Sequence, residues 1–421
     1  MNPAFSSHGF RHGALPRKIG IACDWFLPRI GGMELHMQDL ARNLLARGID
    51  AQIITSQPGP KTVDGIRVHR LSLPLLPGVQ LCYGRRAERE VTALLEREEF
   101  DLIHGHYLLS PLTHGCIYLA RRLGIPTVFT HHSIIDVLHN RPALLAIPLL
   151  GSLFGAVLFR RCIGFPSFRA DRITAVSRAV AADTTIAFRE PGVAVLPNGI
   201  ALRDWQCERR PGPKIHVVSV MRLTRSKCPL SLIRAVPVVN AMLPLRLRPV
   251  FSIYGDGPLS RMVRAEISRL NLQKQVRLMG FRDRTEIREA YGRARLFVIP
   301  SKREGFGIAA LEALAAGIPV VGMNRGGLRE VVEHGRTGLL VDTPGAFASA
   351  IAELILRDDL WRAMSREAPV SARRFSWDRV IRRHLEIYAD AMGLFTADRL
   401  PGLSSGSPAS GSRSPRSSRA S

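Results

Sequence analysis

The chain has 421 residues, of which 46% are apolar and 22% are charged, so it is long enough for two or three domains with separate cores. Its formal net charge of +24 favours an anionic partner, which could be nucleic acid, an anionic membrane surface or a phosphorylated substrate. Zinc-finger spacing and RNP-type aromatic motifs are both missing, so we expect no nucleic acid among its partners. The six cysteines form no C-x-x-C pair and the N-terminus lacks the apolar core of a signal peptide, which predicts a cytoplasmic protein.

The N-terminal half alternates strands with helices. KIGIACDWFLP is typical of a buried strand stopped by Pro28, Gly31-Gly32 forms a turn, and MELHMQDLARNLLARG has the helical period. AQIITS is the next strand, so these segments predict a βαβ unit and a parallel sheet. The pattern recurs in DLIHGHY, PTVFTHHS, RITAVSRAVAADTT and VAVLPNG.

A second α/β half begins near IHVVSVMRL and continues through RPVFSIYGDGP, QVRLMGF, ARLFVIPS and PVVGMNRGG. We expect two doubly wound Rossmann-like domains of α/β class that face each other across a cleft, which is the default site. The predicted boundaries are 1–17 for a flexible N-terminus, 18–200 and 201–378 for the two domains, 379–395 for a last helix, and 396–421 for a disordered Ser/Gly/Pro/Arg tail.

The uncharged stretch ALLAIPLLGSLFGAVLF, 143–159, does not fit the alternation of strands and helices and is followed by Arg160-Arg161. It is slightly short for a membrane span, and Pro148 and Gly151 weaken a straight helix. Two interpretations stay open: a pair of buried core helices, or an interfacial segment whose flanking arginines rest on anionic headgroups.

The stretch EGFGIAALEALAAGIPVV, 304–321, places two acids around a glycine turn between a predicted strand and a helix. Backbone N–H groups at a helix start favour an anion, and Gly305 and Gly307 would let a phosphate approach the backbone closely. Glu312 lies about 7 Å further along the helix axis, which suits a ribose if the turn holds a diphosphate. Glu304 would meet the sugar on the distal phosphate. The alternative is a solvated loop acid at Glu304 and a salt bridge from Glu312 to a neighbouring arginine.

The spacing of Glu304 and Glu312, followed by NRGGLREVVEHGRTGLLV, closely resembles the family-4 retaining glycosyltransferases. The resemblance covers most of the chain from Lys18 to Met392 and includes the Gly31-Gly32 loop, LPNGI, MRLTRSK, YGDGP and FSWDRV. It implies the GT-B architecture and a hexosyltransferase-type enzyme that uses a nucleotide-sugar and retains the anomeric configuration of the sugar.

The resemblance also implies roles for single residues. Arg222 and Lys227 match the basic pair that clamps the donor diphosphate, and two cations would neutralise the leaving group without a metal. We therefore expect no metal and no cofactor. Gly32 would lie near the donor phosphates or reacting sugar, and His132 matches a cleft histidine that contacts the donor sugar. The expected catalytic residues are Glu304 and His132, and the expected donor-binding residues are Gly32, Arg222, Lys227, Gly305, Phe306, Gly307, Ile308 and Glu312.

Two positions depart from the family pattern. Cys228-Pro229 stands where a glycine usually follows the clamp lysine, and Ala201 stands where an aspartate usually follows NGI. The first departure puts the conformation of the phosphate loop in question, whereas the second concerns the hinge. Neither removes a charged group from the expected site.

Within the family, CDWFLPRIGGMELHMQDLARNLLARG and TVFTHHS are locally similar to the catalytic subunits of phosphatidylinositol N-acetylglucosaminyltransferases. With the apolar segment, this predicts transfer from a UDP- or GDP-sugar to a membrane lipid or lipid-linked acceptor, by a protein peripheral on the cytoplasmic face of an anionic membrane. The alternative is a soluble glycosyltransferase or a sugar-phosphate or polysaccharide synthase of the same fold. A non-catalytic sugar-binding protein would be expected to lack the acids or the clamp. An NAD-dependent dehydrogenase would need a G-x-G-x-x-G fingerprint, which the glycines at 255–257 and 305–307 do not complete.

Overall fold

The computed structural model of the chain describes residues 15–71, 85–107, 110–134, 170–188, 192–208 and 212–393. Most of the predicted flexible N-terminus, the apolar segment 143–159 with Arg160-Arg161, and the predicted disordered tail lie outside these residues. Among the helices of the described residues, none is both long enough and apolar enough to cross a membrane.

The first sheet belongs to the N-terminal half. Its strands are β1 (Lys18–Ala22), β2 (Asp50–Thr55), β3 (Thr62–Val63), β4 (Ile66–Arg70), β5 (Leu102–His106), β6 (Thr127–His131), β7 (Arg172–Ala175) and β8 (Ala194–Val195). They lie in the order β3-β4-β2-β1-β5-β6-β7-β8, and all neighbours are parallel except the short β3–β4 pair. The order reverses between β1 and β5, so a crevice opens where the loops after these strands diverge.

Five helices accompany this sheet among the described residues. They are α1 (Gly32–Leu45), α2 (Arg85–Glu98), α3 (Pro111–Arg122), α4 (Arg178–Phe188) and the short α5 (Leu202–Trp205). The buried side chains of α1 recur at helical spacing, and Met37, Leu40 and Leu44 pack against β1 and β2 in one apolar cluster. This packing fixes the start of α1 beside the carboxyl end of β1.

The second sheet has the C-terminal strands β9 (His216–Val220), β10 (Val250–Tyr254), β11 (Val276–Gly280), β12 (Ala294–Ile299), β13 (Val320–Met323) and β14 (Gly338–Val341). All are parallel, in the order β11-β10-β9-β12-β13-β14. This is the doubly wound order with its reversal between β9 and β12. The predicted fold class is therefore confirmed.

The C-terminal helices are α6 (Pro229–Met242), α7 (Ser260–Arg269), α8 (Arg284–Arg293), α9 (Ile308–Ala315), α10 (Leu328–Val331), α11 (Pro344–Leu356), α12 (Asp358–Ala372) and α13 (Trp377–Ala391). α13 corresponds to the predicted last helix but begins two residues before 379 and ends at Ala391. It returns to the N-terminal domain, where Trp377, Ile381 and Tyr388 join the cluster of β1 and α1.

The two domains are in direct contact. The chain crosses between them near Ile200 and Ser376, and these two crossings pair as a parallel bridge with a hydrogen bond from Ile200 N–H to the Phe375 carbonyl of 2.9 Å. An apolar cluster also joins Val176 and Val180 of the N-terminal domain to Phe306 and other residues of the C-terminal domain. The cleft is therefore lined by loops whose relative positions are held by packing on both sides.

Candidate active site

The centre of the site is an ion pair at the reversal point of the second sheet. Arg222 and Lys227 follow β9, and Glu304 follows β12, the strand adjacent to β9 in the sheet. The Lys227 Nζ donates to both carboxylate oxygens of Glu304, at 2.9 and 2.7 Å. The Glu304 side chain is 9% exposed, so the lysine compensates a largely buried charge. Two expected site residues that are 77 positions apart thus touch each other.

The glycine loop after Glu304 is pressed against the N-terminal domain. A Cβ atom at Gly305 would collide with the carbonyl oxygen of His132, and the Ser177 hydroxyl donates to the Gly305 carbonyl at 2.6 Å. Gly307 has φ of 100°, which suits glycine, and precedes the first residue of α9. The loop is therefore adjacent to His132.

The side chains of Phe306 and Ile308, the other predicted residues of this loop, point in different directions. The ring of Phe306 is buried and lies edge-on to Phe375 with centroids 5.4 Å apart, so only the backbone of Phe306 is available to a ligand. Ile308 faces the cleft, because a Cβ atom at Gly32 would lie 3.2 Å from its Cγ2. Since Gly32 and Ile308 are the first residues of α1 and α9, two helix N-termini meet there. Free backbone N–H groups at helix starts favour an anion, and Arg222 and Lys227 add two cations to this part of the cleft.

A carboxyl group lies close to these helix starts. Glu34 is buried in the first turn of α1, and its carboxylate oxygen lies 3.5 Å from Arg29 Nε. Burial raises the pKa of Glu34, and the charges of Arg29 and Arg222 oppose that rise. Arg222 is exposed, and its charge acts on Glu34 although the two residues belong to different domains.

Glu312 is buried in α9 beside an ion pair that joins the domains. Burial raises the pKa of Glu312 to about 8, Arg284 lowers it and Asp39 raises it further. The Arg284 guanidinium at the start of α8 donates to both carboxylate oxygens of Asp39 on α1, at 3.2 and 2.8 Å. The sequence contains no sign of this pair, because 245 positions separate Arg284 from Asp39.

His132 lies at the edge of a buried histidine cluster. Its Nε2 is 2.8 Å from Nδ1 of His106, and burial lowers the pKa of His132 to about 3, so the ring is neutral near pH 7. His104 occupies the same strand as His106 and contacts the Tyr388 hydroxyl of α13 at 2.9 Å and the Thr130 hydroxyl at 2.7 Å. A neutral His132 offers a ligand a hydrogen bond rather than a charge. The sequence signal for the cluster was only that histidines end two predicted strands.

The residue after the clamp lysine has the backbone conformation that glycine would favour. Cys228 has φ of 51° and ψ of 48°, in the left-handed region, and directly precedes α6. A non-glycine residue adopts this region at a cost of roughly 1 kcal/mol or more. The chain therefore keeps a glycine-type turn at this position although glycine is replaced.

These features define the class: a two-domain α/β transferase of GT-B type, with the Lys227–Glu304 ion pair at the cleft between the domains. The profile described as "Glycosyltransferase Family 4" matches residues 30–204, and "Glycosyl transferases group 1" matches residues 206–370. A protein of Salinispora tropica named D-inositol 3-phosphate glycosyltransferase is 30% identical over 435 residues, covering 91% of this chain and 87% of the relative. The chain belongs to the GT-B glycosyltransferases of family 4, group 1, and is a glycosyltransferase.

Solved structures agree with the fold. Sucrose-phosphate synthase from Thermosynechococcus elongatus has a TM-score of 0.70 at 20% identity and covers 90% of this chain and 99% of its own. The Anabaena protein HepE in complex with UDP and glucose has a TM-score of 0.69 at 21% identity, with coverage of 89% and 100%. These matches do not show the finer resemblance to phosphatidylinositol N-acetylglucosaminyltransferase, which stays a prediction.

The raised pKa of Glu312 predicts a pH-dependent stability. Its protonated form stabilises the fold at low pH, and this contribution is lost as the pH rises from 4.5, the ordinary value, through about 8. Within that window, this group lowers the free energy of unfolding by at most about 1.4 kcal/mol per pH unit. Glu312→Gln resembles the protonated acid, so its melting temperature should exceed that of the wild type by more at pH 8 than at pH 5.

The control for this measurement is Glu353→Gln on α11, whose side chain is 45% exposed. Its melting curve should follow the wild type at both pH values. Parallel pH profiles for Glu312→Gln and the wild type would contradict a protonated Glu312.

Proposed function

We propose that the protein is a retaining glycosyltransferase that moves a sugar from a UDP-sugar to a hydroxyl group of a small phosphorylated polyol or sugar. The observation that carries the donor half is the Lys227–Glu304 pair, placed at the sheet reversal and beside the first residues of α1 and α9. The proposed acceptor is supported by the relatives named D-inositol 3-phosphate glycosyltransferase. It is also supported by the basic and aromatic side chains at the opening of the N-terminal crevice.

In the proposed donor complex, the diphosphate lies between the two helix N-termini and draws Lys227 and Arg222 to its oxygens. Glu304 then exchanges its lysine contact for the hydroxyl groups of the donor sugar. Glu312, the fifth residue of α9, forms hydrogen bonds with the ribose. His132, neutral and anchored by His106, contacts the sugar from the opposite domain.

Arg222 and Lys227 stabilise the charge that develops on the leaving diphosphate. The bond between the anomeric carbon and the phosphate oxygen breaks, and the bond to the acceptor oxygen forms on the same face. The departing phosphate oxygen takes the acceptor proton, so UDP leaves with that proton. Glu304 supports the positive charge that develops at the sugar without forming a covalent bond to it.

The proposed acceptor region lies at the reversal of the first sheet. Trp25 follows β1 and Tyr107 follows β5, and their ring centroids are 4.8 Å apart. The Arg29 guanidinium lies over the Trp25 ring at 4.2 Å. An aromatic platform beside a cation suits a polyol ring that carries a phosphate, and the phosphate would compete with Glu34 for Arg29.

The sequence predicted a lipid acceptor, and an experiment that compares acceptors can also detect transfer to a lipid. Its main support, the apolar segment 143–159, lies outside the described residues, and the named relatives favour a phosphorylated acceptor instead. Membrane attachment and cytoplasmic location stay predictions.

Glu304→Gln is the sharpest test of the donor site. We expect transfer to fall by roughly two orders of magnitude or more, since a group that stabilises the transition state is lost. Affinity for UDP alone should stay equal or rise, because the neutral amide no longer competes with the diphosphate for Lys227. Radiolabelled transfer and calorimetry measure the two effects. Retained wild-type kcat would remove Glu304 from the mechanism.

The basic pair should contribute unequally to UDP binding. Arg222→Ala should weaken binding by about 1.5–3 kcal/mol, the range for a charge-assisted hydrogen bond. Lys227→Ala should weaken it less, because in the free protein Lys227 must first leave Glu304. Calorimetry with UDP and GDP gives both values, with Lys302→Ala as the control cation after β12. Unchanged affinity in both variants would exclude the clamp.

The acceptor class is tested with EDTA-treated protein and labelled UDP-glucose or UDP-N-acetylglucosamine. Inositol monophosphate, hexose phosphates and phosphatidylinositol vesicles are offered separately. We expect label in a water-soluble phosphorylated product and continued transfer without added metal. Label only in the lipid extract would overturn the acceptor proposal and support the lipid alternative, whereas loss of transfer on EDTA treatment would overturn metal independence.

A further inference from the structure

Three histidines from separate elements meet between α1 and the carboxyl ends of β5 and β6. His36 lies on α1, His106 ends β5, and His132 follows β6 directly. One ring nitrogen from each can be chosen so that all three atoms lie within 4.8 Å of one another. His36 and His106 are 2% and 0% exposed, and His132 is partly buried at the cleft.

The hydrogen bonds of this cluster are incomplete. His106 Nδ1 and His132 Nε2 are 2.8 Å apart. Buried His36 Nδ1 and His106 Nε2, however, have no hydrogen-bond partner among the described residues. Buried polar atoms are nearly always satisfied, so unpaired nitrogens on two adjacent rings point to a missing ligand.

We propose that His36, His106 and His132 form a binding site for a divalent transition metal ion of the zinc type. Imidazole nitrogens are preferred ligands of zinc and its neighbours, and three histidines with an open fourth position are a common zinc arrangement. Two nitrogens on a tetrahedral zinc ion lie about 3.3 Å apart when each metal bond is about 2.0 Å long. The three nitrogens, which lie within 4.8 Å of one another, would therefore have to approach by up to about 1.5 Å to bind one zinc ion.

The surrounding rings hold the ligands close to this geometry. The His36 ring is stacked on Trp377 of α13, with centroids 5.4 Å apart and an interplanar angle of 23°. The His104 ring lies 4.1 Å from His106 and is tied to Tyr388. The ring centroid of His384 is 6.1 Å from that of His36, but His384 Nδ1 donates to the Val380 carbonyl, so His384 does not belong to the triad.

A consequence for catalysis rests on the proposed function. A metal ion on His132 occupies the ring that contacts the donor sugar, so the ion would inhibit transfer rather than assist it. The inhibited protein should still bind UDP, whose diphosphate is held by Arg222 and Lys227. The metal site would therefore make transfer sensitive to free zinc.

The test uses full-length protein stripped with EDTA and titrated with Co²⁺, whose visible absorption reports tetrahedral coordination. We expect one equivalent to bind with a saturating band, and Zn²⁺ to displace it. His36→Phe keeps the ring on Trp377 but removes a ligand, and it should weaken Co²⁺ binding at least tenfold. It should leave metal-free transfer near wild type and abolish inhibition by zinc.

His384→Phe is the matched control, because it changes a buried histidine of the same cluster that is not a ligand. It should bind Co²⁺ like the wild type. If circular dichroism shows that His36→Phe does not fold, the site is tested instead by anomalous diffraction from wild-type crystals soaked in Co²⁺. We expect an anomalous peak among the three histidine rings. Absence of that peak, a peak only at other histidines, or unchanged Co²⁺ binding by folded His36→Phe would overturn the site. Metal binding without inhibition would retain the site and contradict only the role of His132 in donor binding.

Discussion

The site depends on how the buried charge of Glu304 is compensated. An isolated carboxylate in a largely buried position would be costly, and Lys227 satisfies both of its oxygens. The two residues can meet only because β9 and β12 are neighbours in the sheet although many residues separate them in the chain. The reversal of strand order thus creates the crevice and also brings together the two residues of the ion pair within it.

The contacts between the domains make the cleft a defined space. Gly305 lies against the His132 carbonyl, and Arg284 reaches across to Asp39 next to the buried Glu312. α13 completes the N-terminal core with residues from the end of the described chain. Residues of the candidate site and residues that hold the domains together are consequently interleaved, so a change in domain position is expected to move the candidate site.

Much of the architecture was predictable because its signals are local. Continuous apolar runs bounded by glycine and proline predicted the longer parallel strands, and the two-acid spacing with the glycine turn predicted the loop before α9. The antiparallel β3–β4 pair and the four-residue β14 were not predicted. β3 has only two residues and β4 alternates apolar with basic residues, so neither forms a continuous apolar run. The sequence did not indicate that the ring of Phe306 packs on Phe375, because this contact joins residues far apart in the chain.

The sequence by itself determined the alternation of strands and helices, the two-domain α/β class and the positions of the charged residues in the donor loops. Only the tertiary structure decided which of those charges touch, that Glu312 shares its surroundings with the Arg284–Asp39 pair, and that His36 joins His106 and His132. The physical reason is the distance along the chain over which each effect acts. Periodicity and turn chemistry act over a few residues, whereas ion pairs, burial and pKa shifts depend on segments that meet only when the sheets and domains have packed.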